Sequence, residues 1–362
     1  MDFELSRRSF DPVETAAFSA DLLAQGADAS LLRVWSATLS AEARLTHPVV
    51  LRARRGGRTV GAALLMICHD WGRSFFGRPV LRRAARLGPP IWYWERTGLG
   101  TDAMACPGVV VPGEDREAFV RAALAWLEQR FLLGCVLTPG RVERSPRTLP
   151  WPGLGISTLQ APWDLPALLA RHRNLSRKVR KFGHRDGTIS RIHGPLPPGL
   201  RAALLATYDL ERPLNPPYIE LYPEMVSAHW ALSDDRLVHL VALLADRPVG
   251  YHSFWRTGER LVLLSGALGR PPGGTVHAYE NLLLASVPLA ANLGCRIVEY
   301  GATVNHVKAS LLDTAPSTML FVSRWRPLLR ATAGLLPRSA LAQDRIAALT
   351  RPKSSSTVSP GR

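Results

Sequence analysis

Six cations, Arg171, Arg173, Arg177, Lys178, Arg180 and Lys181, crowd into residues 171–181 with no acid among them. On one helix such a set repels itself, so it calls for an anionic partner: the phosphates of a carrier, RNA or a membrane surface. A solvated helix face is the plain alternative. A second candidate is the turn Gly269-Arg270-Pro271-Pro272-Gly273-Gly274, which follows an apolar strand and leads into a helix expected to open at Thr275. Backbone N–H groups and the positive end of a helix can hold a pyrophosphate there, with Gly269, Arg270, Gly273 and Gly274 around it. Pro271 and Pro272 remove two donors, and neither a Walker lysine nor a full GxGxxG is present, so an ordinary surface loop competes. The third is Lys308, the only lysine between residues 182 and 352. Its compact ammonium differs from the guanidinium chosen elsewhere in reach and in how far its pKa can be tuned.

The same residues exclude other chemistries. There is no Ser-His-Asp set with a nucleophile elbow and no HExxH. Cys68, Cys106, Cys135 and Cys295 form no CxxC pair, so neither a zinc site nor a disulfide framework is signalled, and no metal is expected. Lys and Arg together number 45 against 29 Asp and Glu, giving a net charge of +16. That balance suits an acidic partner. Only four of the cations are Lys, so a coding bias toward Arg explains part of the excess equally well. The N-terminus carries Asp2 and Glu4 where a signal peptide has cations, and no uncharged apolar run reaches the ~18 residues of a membrane span. A cytoplasmic chain without a transmembrane segment is expected.

The elements that must position these residues repeat along the chain. Residues 49–67 and 238–255 each run from an apolar strand through a polar turn into Arg-x-Val-Gly and a second strand, with Arg58, Val60 and Gly61 answered by Arg247, Val249 and Gly250. Each copy is followed by apolar strands and then an amphipathic helix: near 114–131 in the first half, and from Thr275 in the second, where Pro288 should kink or break it. Strand–loop–helix–strand twice over is an α+β signature. Pro146, Pro150, Pro152 and Pro162 mark a linker zone, followed by a helix over about 165–183 with Asp164 as its N-cap and Gly183 as its stop. This divides the chain into 1–150, 151–330 and a basic, Pro-interrupted 331–362 whose end is expected to be disordered.

The Arg173-Asn174-Leu175-x-Arg177-Lys178 helix, the hairpin ending in Val-Gly, the Ala-Tyr279-x-Asn-Leu-Leu helix with its Gly294 stop, and Gly301 followed by Lys308 resemble, in that order, the Fem-type, peptidoglycan-related acyltransferases of the GNAT superfamily. The resemblance covers about residues 160–325. It implies two tandem GNAT-like domains, each a mixed central sheet flanked by helices. It also implies transfer of an acyl group from acyl-CoA, or an aminoacyl group from aminoacyl-tRNA, to an amine acceptor that is a small molecule or a cell-envelope precursor. By position, Arg173, Arg177 and Lys178 match the family's basic helix, and Lys308 matches the lysine after its Gly-containing strand; the Gly269–Gly274 loop departs from the Gln/Arg-x-x-Gly-x-Gly/Ala of acetyl-CoA binders. Acyl transfer to an amine needs an uncharged nucleophile and a proton for the leaving group. His252, Glu299 and His306 are the candidate acceptors and Tyr279 the candidate donor. The competing reading is a non-catalytic GNAT-like protein that binds RNA or an anionic membrane through its basic helix and the Arg-rich 325–351 stretch.

Overall fold

The computed structural model describes residues 2–24, 28–41, 46–69, 89–95, 108–113, 115–139, 148–152, 156–171, 173–211, 223–269, 277–300, 312–315, 317–325 and 327–328. Among them the strands form two mixed sheets. The first joins β1 (Asp2–Ser6), β2 (Thr46–Arg55), β3 (Arg58–Cys68), β4 (Ile91–Glu95), β6 (Gly134–Pro139), β15 (Ser317–Val322) and β7 (Thr148–Pro152) in that spatial order, with β5 (Val109–Val110) beside β3. The second runs β14 (Asp313–Ala315), β8 (Ile156–Gln160), β13 (Ile297–Glu299), β12 (Arg260–Leu268), β11 (Arg247–Thr257), β10 (Leu237–Leu244) and β9 (Gly187–His193). The α+β class expected from the alternation of patterns is the one observed.

The two Arg-x-Val-Gly segments are the same piece of structure. In β2–β3, Ala53 pairs with Gly61 and a bulge follows Ala53; in β10–β11, Ala242 pairs with Gly250 and a bulge follows Ala242. Both hairpins turn through two residues with positive φ, Gly56 and Gly57 in one, Ala245 and Asp246 in the other, the backbone of a type I′ turn. Each half then makes a crossover to a parallel strand: β4 to β6 through α3 (Arg116–Arg130), and β12 to β13 through α8 (Ala278–Asn292). The repeated glycine is where the helix side is accommodated. A Cβ at Gly61 would stand 2.7 Å from Phe119 of α3, and one at Gly250 would stand 2.8 Å from Leu268 and 3.5 Å from Leu282 of α8.

Each sheet is covered on both faces. α3 buries Phe119, Ala123 and Leu127 on one face of the first sheet, and α1 (Pro12–Ala24) and α2 (Leu31–Ser40) supply Phe18, Leu22 and Trp35 to the other. In the second sheet α8, with α4 (Leu165–Arg171) and α5 (Arg173–Gly183), covers one face, while α6 (Pro198–Glu211) and α7 (Pro223–Trp230) pack on the opposite face. That opposite core is continuous between the halves: Trp35 and Leu39 belong to the same buried cluster as Trp230 and Trp255. Polar bonds cross the same seam. Trp255 Nε1 donates to Ser30 Oγ at 3.2 Å, the Asp28 N–H donates to Thr257 Oγ1 at 3.1 Å, and Arg33 pairs with Asp234.

Several local expectations are altered. Pro150 and Pro152 lie inside β7 instead of a linker; β7 is an edge strand, where a missing N–H does no harm. β15, from the segment assigned to the second half, pairs with β6 and β7 of the first sheet. The basic helix is described as α4 and α5 on either side of residue 172, capped by Asp164 Oδ1, which accepts the Ala167 N–H at 2.8 Å. Gly183 is the last residue of α5, and the positive φ expected of a stop falls at Asp186 instead. α8 runs unbroken through Pro288, whose ring is exposed while Val287, Leu289 and Ala290 beside it are buried and hold the helix down. It ends as expected at Gly294 (φ 67°), with Gly294 N–H donating to Ala291 and Cys295 N–H to Ala290, the paired bonds of a Schellman cap. Cys68, Cys135 and Cys295 are buried; Cys106 lies outside the described residues.

Candidate active site

β11 alternates its side chains between the two cores. Tyr251 and Trp255 enter the core shared with the first half, and Phe254 enters the core under α8, the side to which His252 also turns. The space for the His252 ring comes from its cross-strand partner Gly266, where a Cβ would lie 2.7 Å from His252 Cδ2. An unpaired residue of β12, Leu264, precedes it, because the register slips between Ser253 and Phe254. Such a bulge bends the strand and re-aims the side chains next to it. From above, Tyr279 in the first turn of α8 meets the imidazole edge-on, 5.7 Å between ring centroids at 87°. Of the four proton-transfer candidates, these two are brought together.

Glu299 is not with them. Its neighbour Val298 enters the core under α8, so Glu299 turns to the opposite face, fully buried, with Arg260 Nη1 3.9 Å from Oε2. The sequence left open whether this carboxylate faces solvent; the structure buries it. His306 and Lys308 lie outside the described residues, as do Arg270, Gly273 and Gly274. Gly269 is described, and its N–H donates to the Val249 carbonyl at 2.6 Å, extending the β12–β11 pairing.

The start of α8 meets the basic helix. His277, in the left-handed region at φ 58°, precedes the first turn, and Asn281 Nδ2 donates to its carbonyl at 2.8 Å. Across from it α5 packs on α8, and Lys178 Nζ pairs with Glu280 Oε1 at 2.5 Å. His277 sits between them: burial pushes its pKa down, Glu280 opposes this, and Lys178, Lys181 and Arg177 add to it. Lys178 is therefore engaged with α8, whereas Arg177, Arg180 and Lys181 are exposed and have no ion pair among the described residues. Arg173 is in α5, but its side chain is not described. The helix N-terminus and two unneutralised cations, Arg177 and Lys181, thus share one neighbourhood, which suits an anion.

Between these two clusters the sheet opens. β12 and β13 pair in parallel over only three residues, Arg260–Val262 against Ile297–Glu299. β12 continues to Leu268, while the Tyr300 N–H donates to Ser157 of β8 at 2.9 Å, so Tyr300 follows β8 and the parallel pairing ends at Val262 and Glu299. Tyr300 fixes this divergence from below: its phenol is buried, bonds Ser286 of α8, and is pushed well up in pKa by that burial. A parted strand edge can bond an extended, amide-bearing chain by strand addition. In the first half the corresponding parallel pair is β4 and β6. There β4 and β6 stay paired from Trp92–Gly134 to Glu95–Leu137, and the Trp92 indole fills the space where a Cβ on Gly134 would be. Its crossover helix also begins with Asp115 and Glu117, which disfavour an anion.

Sequence reasoning missed Gly266 and the parting of the strands. The signal for the first was present: a lone glycine inside an otherwise apolar strand marks a bulge or a close approach.

A scan of the sequence against protein-family models finds no match, and no curated protein matches it in sequence. Solved structures do match in fold. The C-terminal domain of a protein described as a lysylphosphatidylglycerol synthetase of Agrobacterium fabrum aligns with a TM-score of 0.53 at 9% identity, covering 90% of this chain and 97% of that one. The L-PGS of Bacillus licheniformis aligns at 0.51 and 10% identity, covering 95% and 99%. A tandem GNAT protein from the clavulanic acid biosynthesis pathway aligns at 0.49 and 14% identity, covering 89% and 98%. The chain shares its fold, over nearly its whole length, with the first two of these.

Proposed function

We propose that this chain is a transferase that moves an acyl or aminoacyl group from a phosphate-bearing carrier to an amine, and that the second half performs the transfer. The observation that carries the reading is the parted β12–β13 pair, with the cation-flanked start of α8 at one side and the His252–Tyr279 pair beneath its first turn. In this reading the carrier's phosphates lie at the α8 N-terminus, held by Arg270, Gly273, Gly274 and Lys308 together with Arg173 and Arg177, while Gly269, whose N–H is given to Val249, closes the strand before them. Lys178 contributes by holding Glu280 in place. The extended part of the carrier adds to the edge of β12 beyond Val262, which directs its reactive carbonyl toward the opening between the strands.

The attacking amine gives up a proton and the departing thiolate or ribose oxygen takes one. His252 is the acceptor this reading favours, through Tyr279, which is half-buried and touches both the imidazole and the helix start. His306 is the other acceptor; Glu299, buried on the opposite face of the sheet, is turned away from this pair. The carrier is acyl-CoA or aminoacyl-tRNA, and the acceptor a small amine or a cell-envelope precursor; the fold shared with a protein described as a lysylphosphatidylglycerol synthetase supports keeping the aminoacyl donor in view.

A thermal-shift panel of acyl-CoAs and aminoacyl-tRNAs tests the proposal. At a hundredfold excess over Kd one carrier stabilises the fold by about 2.7 kcal/mol, and Lys308→Ala or Arg177→Glu removes most of that gain. A panel in which neither carrier class shifts the melting temperature refutes it.

A further inference from the structure

The first sheet ends in a feature that the transfer reaction does not use. Trp35, Trp92, Trp94, Trp230 and Trp255 are at most 1% exposed, yet Trp325, just past β15, is 55% exposed. Beside it Leu132 is 37% exposed. The two are tied together by Ser323, whose hydroxyl donates to the Leu132 carbonyl at 2.6 Å and accepts the Trp325 N–H at 3.0 Å. Cations frame them. Arg324 Nη1 donates to the Gln129 carbonyl at 3.3 Å, and the Arg130 guanidinium lies over the Trp126 ring at 4.4 Å. Both arginines are exposed, and neither has an ion pair among the described residues.

We propose that this rim of the first sheet, formed by Trp325, Leu132, Arg130 and Arg324, docks the protein on an anionic bilayer surface. A tryptophan with one apolar and one polar edge suits the boundary between headgroups and acyl chains, Leu132 adds a side chain that enters the apolar side, and the arginines remain at headgroup level against lipid phosphates. The net charge of +16 draws the whole chain toward such a surface. A second copy of the chain fits less well. A two-fold contact through this rim would set Arg130 and Arg324 against their own copies, and two exposed apolar side chains fall far short of the ~1,000 Å² that a specific protein interface needs. The docking stands whether or not the transfer reaction does.

The test is co-sedimentation of the full chain with vesicles of phosphatidylcholine alone and of phosphatidylcholine mixed with phosphatidylglycerol. Binding to the mixed vesicles is expected, with partitioning to the neutral ones at least about tenfold weaker. Trp325→Ala with Leu132→Ser lowers partitioning about tenfold, and each of Arg130→Glu and Arg324→Glu lowers it at least about fivefold. All four positions are exposed, and unchanged melting curves check that the variants fold. The proposal is overturned by any of four results: no binding to either vesicle; binding that Trp325→Ala with Leu132→Ser leaves intact while Arg177→Glu with Lys181→Glu removes it; a concentration-dependent dimer that Trp325→Ala dissolves; or retention on RNA but not on vesicles.

Discussion

At pH 7 the His229 imidazole is neutral, because burial at the seam between the halves pushes its pKa down to about 4 from 6.5. Its Nε2–H donates to Thr38 Oγ1 at 2.8 Å, and that hydroxyl in turn donates to the Val34 carbonyl. His239 is likewise held near 4, chiefly by burial: its Nε2–H donates to the Gly194 carbonyl and its Nδ1 accepts from Ser253, which takes the Trp230 N–H. A folded-state pKa below the unfolded one means that the unfolded chain binds the proton more readily. The stabilisation is complete above pH 6.5 and falls away toward pH 4, by about 3 kcal/mol per histidine. Urea unfolding followed across that window should show this loss, and His229→Gln should remove roughly half of the slope. Lys178→Met leaves the buried Glu280 carboxylate without its partner and should cost about 1–3 kcal/mol, most of it recovered by adding Glu280→Gln, measured as a double-mutant cycle. From the sequence Lys178 reads as one more cation on a face awaiting an anion. The helical period shows which side of α5 it occupies, but not that α8 delivers Glu280 to it from 102 positions away. His252 and Tyr279 were legible as residue types, and their meeting was not, since it depends on the register that sets Gly266 opposite His252.

Elements were easier to read than the site they build. The Arg-x-Val-Gly repeat located both hairpins because a strand's period and its turn are local properties. The shared bulges and the shared turn backbone could not be seen, because Gly-Gly and Ala-Asp do not look alike. That difference has a measurable effect. Ala245 and Asp246 carry φ of 44° and 61°, which L side chains other than Asn and Asp adopt at a cost. Ala245→Asn with Asp246→Gly should therefore stabilise the protein by about 1 kcal/mol, read as a higher denaturant midpoint at unchanged slope. Proline misled twice for related reasons. Pro150 and Pro152 suggested a linker and sit in an edge strand, while Pro288 suggested a break and sits on the outer side of a helix that its buried neighbours hold in place.

The whole molecule is less divisible than its repeat suggests. A cut near residue 150 follows from the pattern of strands and prolines, but Trp35 shares a core with Trp230 and Trp255, and the first sheet takes β15 from the far side of the second. Thermal unfolding should accordingly appear as one transition by both circular dichroism and tryptophan fluorescence. A chain ending after Ala315 loses β15 and exposes the edge of β6; it should melt at least several degrees lower and aggregate, as light scattering would report. The position of β15 also constrains how the chain is made. It lies between β6 and β7, two strands that leave the ribosome more than 160 residues earlier, and neither pairs with the other across the gap. At roughly 5–20 residues per second, the first sheet must wait about ten seconds or longer for its penultimate strand. During that interval a growing second half is already folding beside it.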